Sequence, residues 1–134
     1  MKVLKRILVI CALLVLALPL NAQNSTTRFF VACEYENVTI DSTAGGIGFT
    51  AAEYNATECG GTNGAASVTF TVACASGTDC PIRMTLDSTA PTTSVGMRAI
   101  YGQSVTIYSI TNIKTFRAIR EGATSAVLNV QYFR

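Results

Sequence analysis

The chain has 134 residues, contains no histidine and no tryptophan, and only 13% of its residues are charged. Because histidine is absent, Ser-His-Asp and Cys-His catalytic systems and the usual zinc and haem ligand sets are excluded. Three of the ten basic residues lie in the first six positions, so residues 23–134 carry seven basic and eight acidic side chains. This near neutrality argues against a protein that binds nucleic acid or an anionic membrane through clustered positive charge.

The N-terminus has the three-part pattern of a secretory signal peptide. Lys2, Lys5 and Arg6 form a basic segment, residues 7–18 are an unbroken apolar run, and Ala22 places a small residue before the cleavage position. The apolar run is shorter than the roughly 20 residues that a membrane span needs. We therefore expect a signal peptide at 1–22, a single domain at 23–134, secretion to the extracellular space or cell surface, and no membrane contact after cleavage.

The first half of the expected domain is typical of strands separated by turns, because β-branched and aromatic residues are plentiful and alternate with polar ones. The clearest strand is 67–74, in which Val68, Phe70 and Val72 alternate with threonines. The pattern predicts the other features of this half in the following order: a strand at 29–40, a turn at 42–46, a second strand at 47–54 and a glycine-rich loop at 58–64.

The second half continues in the same way, with a turn roughly every ten residues. The best helical candidate, 113–120, is short and β-branched, so that it admits one helical turn at most. About eight short strands in all favour an all-β fold, a single antiparallel β-sandwich or barrel. The remaining strands are predicted at 82–86, 95–100, 105–110, 113–119 and 126–132.

Four cysteines remain after removal of the leader, and an even number in a small exported domain predicts two disulfides. Three pairings are possible. We favour Cys74–Cys80, which closes a short polar loop between two strands, together with Cys33–Cys59. The alternative of Cys33–Cys74 with Cys59–Cys80 stays open. Without a Cys-x-x-Cys pair or histidine, the disulfides are expected to be structural, and we expect no metal and no cofactor.

Acidic residues offer little catalytic chemistry. Glu34 and Glu36 share one face of the first strand, where like charges are typical of a solvated edge. Asp87 lies in a turn and is expected to accept backbone N–H bonds, with Arg83 four residues earlier as its partner. No spacing of carboxylates indicates a cleft, so we expect the protein not to be an enzyme.

A ligand site is predicted from the arginines and tyrosines of the second half. Aromatic rings stack on sugars and a guanidinium donates a fork of hydrogen bonds, so an acidic or sugar ligand would suit them. The alternative is that each arginine pairs locally with a carboxylate or a loop carbonyl. The candidate ligand-binding residues are Arg83, Asp87, Arg98, Tyr101 and Tyr108.

Three N-x-S/T sequons begin at Asn24, Asn37 and Asn55. A sequon is an acceptor for N-glycosylation in a secreted protein. These three positions therefore matter only in a host that glycosylates its exported proteins.

The chain from Ile82 onward reads IRMTLDSTAPTTSVGMRAIYGQSVTIYS and then, from Ile113, IKTFRAIREGATSAVLNVQYF. With the upstream segment 44–51, this order of elements resembles small single-domain β proteins encoded among bacteriophage structural genes and related metagenomic sequences. The resemblance covers about residues 38–134 and implies a β-sandwich-like surface or accessory structural protein without catalytic residues. The matching positions are Ile82, Arg83, Asp87, Thr89, Pro91, Thr92, Val95, Gly96, Gly102, Phe116, Arg117, Ala118, Ile119, Arg120, Val130 and Tyr132.

An export signal and four cysteines depart from that phage pattern and favour a host-encoded, exported version. We therefore expect an exported, disulfide-stabilised structural or assembly protein, a repeating subunit of an extracellular filament, coat or surface layer. Its expected partners are copies of itself or another extracellular surface component. A carbohydrate- or surface-binding module, with a glycan as partner, and a virion decoration or accessory structural protein are the alternatives.

Overall fold

The computed structural model describes residues 30–77 and 79–134, so the expected signal peptide at 1–22 lies outside the described residues. The described chain is mostly β. Two short α-helices, α1 (Ala51–Tyr54) and α2 (Ile110–Thr115), and two 3-10 turns, Thr57–Cys59 and Gly61–Asn63, connect its strands. The strands are β1 (Ala32–Ile40), β2 (Ser67–Cys74), β3 (Ile82–Thr85), β4 (Met97–Ala99), β5 (Ser104–Tyr108), β6 (Arg117–Arg120) and β7 (Ala126–Phe133).

The strands form two antiparallel sheets. A four-stranded sheet has the order β1-β7-β2-β5, and a three-stranded sheet has the order β4-β3-β6. In the four-stranded sheet Val68, Phe70 and Val72 of β2 are buried, whereas Thr69 and Thr71 between them are only partly covered. Successive strand residues point to opposite sides, so the four-stranded sheet has a buried inner face and an outer face that meets solvent.

Inner-face residues of both sheets belong to one hydrophobic core. Its centre is aromatic. The ring of Phe49 stacks on that of Phe116 with centroids 4.1 Å apart, and the Phe70 ring lies 5.6 Å from Phe116. Tyr132, from the middle of the four-stranded sheet, meets Phe49 edge-on at 6.0 Å. The three-stranded sheet contributes Ile82, Met84, Ala99 and Ala118.

Backbone hydrogen bonds connect the two sheets on one side of the molecule. The segment that follows β1 runs along β6, where Arg120 N donates to Asp41 O at 2.9 Å. Ile47 and Ala118 exchange two backbone bonds of 2.7 and 2.8 Å. On the opposite side, β4 and β5 are the outermost strands of their sheets, and the turn 100–103 joins them. We call β4, β5 and their flanking turns, residues 95–108, the open side.

The structure has seven strands where the sequence predicts about eight, because the expected strand at 47–54 does not form. Only Ile47 makes a bridge, to Ala118, and α1 follows. The segment Ala51-Ala52-Glu53 has good helix formers, and Glu53 N and Tyr54 N both donate to Thr50 O. Helical propensity therefore ends the extended segment after Phe49.

The expected strand at 113–119 is divided into α2 and β6. Ser109 caps the start of α2 by accepting a hydrogen bond from Thr111 N at 3.3 Å. Within the helix, Thr115 Oγ1 donates to Thr111 O at 2.9 Å. Local hydrogen bonds of Ser and Thr side chains compete with strand pairing. A strand predicted from β-branched composition alone is therefore wrong for the first part of this segment.

The disulfides are Cys33–Cys59, separated by 26 residues, and Cys74–Cys80, separated by 6. This is the pairing favoured by the sequence. The first ties β1 to a 3-10 turn and the second closes the loop after β2. Among the described residues, no helix is long and apolar enough to cross a membrane.

Candidate functional site

Two of the predicted ligand residues, Arg83 and Arg98, meet on the outer face of the three-stranded sheet. They are directly opposite each other on β3 and β4. Both donate to one carboxylate oxygen of Glu121, Arg98 Nε at 2.8 Å and Arg83 Nε at 3.2 Å. Arg83 Nη1 also donates to Gly96 O at 3.2 Å. The two guanidinium groups are therefore engaged with a turn of the same chain.

The expected pairing of Arg83 with Asp87 does not occur. Asp87 lies beyond the end of β3, and its Oδ1 accepts a hydrogen bond from Thr89 N at 3.0 Å. This turn bond lowers the pKa of Asp87. Sequence spacing placed a carboxylate four residues from Arg83, but sheet pairing brings Glu121, from the turn after β6, to the arginine instead.

The hydrogen bond from Arg98 holds the pKa of Glu121 below its usual value, and Arg83 adds to this effect. A lowered carboxylate pKa contributes stability above the ordinary glutamate pKa, which is lost as the pH falls through the folded-state value. We expect Glu121→Gln to lower the melting temperature at pH 7 and to cost progressively less in acid. Melting curves between pH 7 and pH 2 would show the difference. Glu58→Gln, at an exposed glutamate, is the control, and an equal, pH-independent loss at both positions would contradict this role.

The predicted tyrosines lie apart from the arginine pair. Tyr101 is half exposed in the turn of the open side. Tyr108 ends β5 in the four-stranded sheet, with its ring centroid 6.2 Å from that of Phe30, beside a cavity of about 580 Å³ that Asn63 and Ile110 help to line. The five predicted ligand residues therefore belong to different surfaces, and only Arg83 and Arg98 share a hydrogen-bond partner.

The acidic pair of β1 also differs from expectation. Glu34 and Glu36 do share a face and β1 is an edge strand, but this face is the inner one, and Glu36 is half-buried. The Glu36 carboxylate accepts hydrogen bonds from the buried Tyr132 hydroxyl and from Thr50 N. Burial, and then the bond to Glu36, raises the pKa of Tyr132. Glu36 therefore has a structural role that links β1, β7 and the start of α1.

The middle of the outer face of the four-stranded sheet is an array of uncharged polar side chains, with Phe133 in the row on one side of it and Val127 and Ala73 in the row on the other. Strand register aligns them in two rows across all four strands. In these rows Thr69 Oγ1 lies 2.9 Å from Thr106 Oγ1, and Thr71 Oγ1 lies 2.7 Å from Ser104 Oγ. The first row contains Tyr35, Gln131, Thr69 and Thr106. The second row, adjacent to the first, contains Asn37, Asn129, Thr71 and Ser104.

A shallow cavity of about 260 Å³ lies at the β1–β7 end of this face, and Tyr35, Asn37, Asn129 and Gln131 line it. Glu36 and Val130 also border the cavity, but they alternate with these residues and belong to the inner face. Tyr35 is 71% exposed, the largest exposure among the large hydrophobic residues of the described chain. Gln131 Nε2 donates to Glu34 O at 2.8 Å, which orients the amide. Sequence reasoning missed this group because it depends on the pairing of the first and last strands.

The open side, in contrast to the polar rows, carries exposed apolar side chains. Among the eight exposed large hydrophobic side chains of the described residues, four lie within residues 95–101. Beside them is a cavity of about 410 Å³ lined by Met84, Leu86 and Met97. The four exposed side chains are Val95, Met97, Ile100 and Tyr101.

Metal chemistry has no candidate in the described chain, where no three potential ligands from His, Cys, Asp and Glu cluster. No protein-family model, no curated protein and no solved structure matches this sequence. The resemblance to phage-encoded β proteins therefore stays a prediction, and a proposal for function rests on the surfaces of the molecule itself.

Proposed function

We propose that the protein is exported, loses residues 1–22, and acts without catalysis by associating with copies of itself, as a subunit of an extracellular filament, coat or surface layer. The basic and apolar leader supports export, and two disulfides are compatible with an oxidising compartment. In this proposal the two sheets form a sandwich. Backbone hydrogen bonds join the sheets on the β1–β6 side, whereas the outer edges of β4 and β5 on the open side have no strand partner within the described chain.

The observation that carries the proposal is the coincidence of exposed apolar side chains with two outermost strands. Natural edge strands are normally protected by charges that prevent pairing between copies. Here β5 has the sequence Ser-Val-Thr-Ile-Tyr, with no charge. The single charged residue of β4 is Arg98, which Glu121 already engages. A second copy can therefore approach the open side without charge repulsion.

Backbone groups on β5 are oriented for strand addition. Ser109 N donates to Ala66 O and Val72 N donates to Gln103 O, both at 3.0 Å, so odd-numbered residues of this segment bond to β2. In an antiparallel ladder the intervening residues direct their N–H and C=O groups to the other edge. Ser104 and Thr106 therefore present backbone groups to a strand from another copy.

Two-fold pairing of the open side with itself gives a dimer. Each sheet would then continue into the partner, and the exposed Met97 and Tyr101 side chains would be covered. Growth into a filament, coat or surface layer requires a second contact surface in addition. The size of the assembly therefore distinguishes a dimer from such a larger structure.

The test uses the full chain, expressed with its leader in an exporting bacterium and purified from the exported fraction. Mass spectrometry is expected to find Gln23 as the first residue, and sedimentation velocity to find dimers or larger species. The double variant Met97→Glu/Tyr101→Glu is expected to weaken association at least about tenfold, equivalent to about 1.4 kcal/mol, because like charges would face each other across the interface.

Tyr35→Glu/Asn37→Glu is the matched control, since it places the same two charges at exposed positions of the other surface, and it is expected to leave association unchanged. A wild-type protein that stays monomeric at its highest soluble concentration would contradict the proposal. The virion role remains an alternative that only the resemblance supports.

A further inference from the structure

We propose that the outer face of the four-stranded sheet is a second, independent binding site whose ligand is a neutral oligosaccharide. The site is centred on Tyr35, Asn37, Asn129 and Gln131. This centre lies at the β1–β7 end of the sheet, away from the β5 edge of the open side, so it does not depend on self-association. It also differs from the ligand site predicted from the arginines.

The four side chains form a compact block. Tyr35 is directly opposite Gln131, and Asn37 is directly opposite Asn129. Opposite residues of antiparallel strands lie about 5 Å apart, and alternate residues of one strand lie about 7 Å apart. The block is therefore comparable in size with one pyranose ring, and a cavity lies over it.

The chemistry of the block suits a sugar. An exposed tyrosine presents a flat apolar ring together with a polar hydroxyl, which matches the apolar and hydroxylated faces of a pyranose. Each amide side chain offers both N–H donors and a carbonyl acceptor, as hydroxyl groups require. Asn37 and Asn129 are exposed, and Gln131 is held by its bond to Glu34 O. An aromatic ring with a few placed polar groups is the usual composition of a ligand site.

Charge selects the class of sugar. The two rows of the outer face contain no charged residue. The arginines that would attract uronic or sialic acids lie on the three-stranded sheet, where Glu121 engages Arg83 and Arg98. A neutral glycan loses no ionic solvation on this surface, whereas a carboxylate would be left without a counter-charge.

The rows extend the site beyond one ring. Three strand spacings of about 4.8 Å give a polar strip about 14 Å wide from β1 to β5. Hydroxyl pairs at Thr69–Thr106 and Thr71–Ser104 continue it. An extended oligosaccharide can therefore follow the strip across the strands, with its anchoring ring at Tyr35.

The test measures binding of the bacterially expressed full chain, in which the Asn37 sequon carries no glycan, to an array of neutral and anionic oligosaccharides. The probes retained on the array are then titrated by calorimetry. We expect retention of neutral glycans, with affinity unchanged between low and high salt. Tyr35→Ala is expected to weaken binding at least about tenfold, and Asn129→Ala severalfold. Phe30→Ala, at an exposed aromatic residue outside the two rows and outside the open side, is expected to bind like wild type.

Melting temperatures near wild type would show that the variants are folded. Retention of no neutral glycan would overturn the proposal, as would retention of anionic glycans alone. Equal affinity of Tyr35→Ala and wild type would overturn the assignment of the site. A monomeric wild-type protein that still binds the neutral probe would refute self-association and leave this site intact.

Discussion

Replacement of Phe116 by alanine is expected to lower the free energy of unfolding by about 4 kcal/mol, within the range of about 3–5 kcal/mol for buried aromatic residues. The side chain is fully buried and its ring contacts those of Phe49 and Phe70. It lies between α2 and β6, so that its removal also loosens the strand that connects the two sheets. Equilibrium unfolding in urea, followed by circular dichroism, measures the change.

Phe30→Ala is the control for this prediction, because Phe30 is 43% exposed and contacts only the ring of Tyr108 among the aromatic residues described. Its expected cost is below about 1 kcal/mol, as for most exposed positions. Similar losses at Phe116 and Phe30 would show that the aromatic centre of the core does not determine stability.

Local sequence patterns predicted the strands that have one buried and one exposed face. In β2, Val68, Phe70 and Val72 occupy the core while the intervening threonines face outward. In β7, Ala126 and Leu128 are buried whereas Asn129 is exposed. A period of two is a local property of the chain, so alternation identifies such strands without knowledge of their neighbours.

Contacts that depend on the pairing of strands far apart in the sequence cannot be predicted from such local patterns. Arg83 meets Glu121 because β3 pairs with β6, and nothing near Arg83 in the sequence indicates this partner. The Tyr35 and Asn129 cavity requires that the first and last strands be neighbours. Glu36 is half-buried because Tyr132 lies in the adjacent strand, although its local pattern is typical of a solvated edge.

The disulfide prediction benefited from a local constraint. Cys74 and Cys80 are separated by only 6 residues, a loop that strand–turn–strand geometry brings together. Once that pair is assigned, Cys33 and Cys59 are the remaining two of the four cysteines. The short separation therefore favours one pairing among the three that side-chain chemistry alone leaves open, and this is the pairing in the structure.

Removal of the Cys33–Cys59 disulfide is expected to destabilise the protein more than removal of Cys74–Cys80. A disulfide restricts the unfolded chain in proportion to the logarithm of the loop it closes. The loops are 26 and 6 residues, which correspond to about 3.5 and about 2 kcal/mol at 25 °C. Double alanine variants of each pair, unfolded in urea, measure the two costs.

The two pairs form a matched comparison, because each contains one fully buried cysteine, Cys59 in the first and Cys80 in the second. Packing losses are therefore similar, and the difference reports loop length. A larger loss for the Cys74–Cys80 variant would contradict the loop-entropy argument and place the main restraint at the β2–β3 connection.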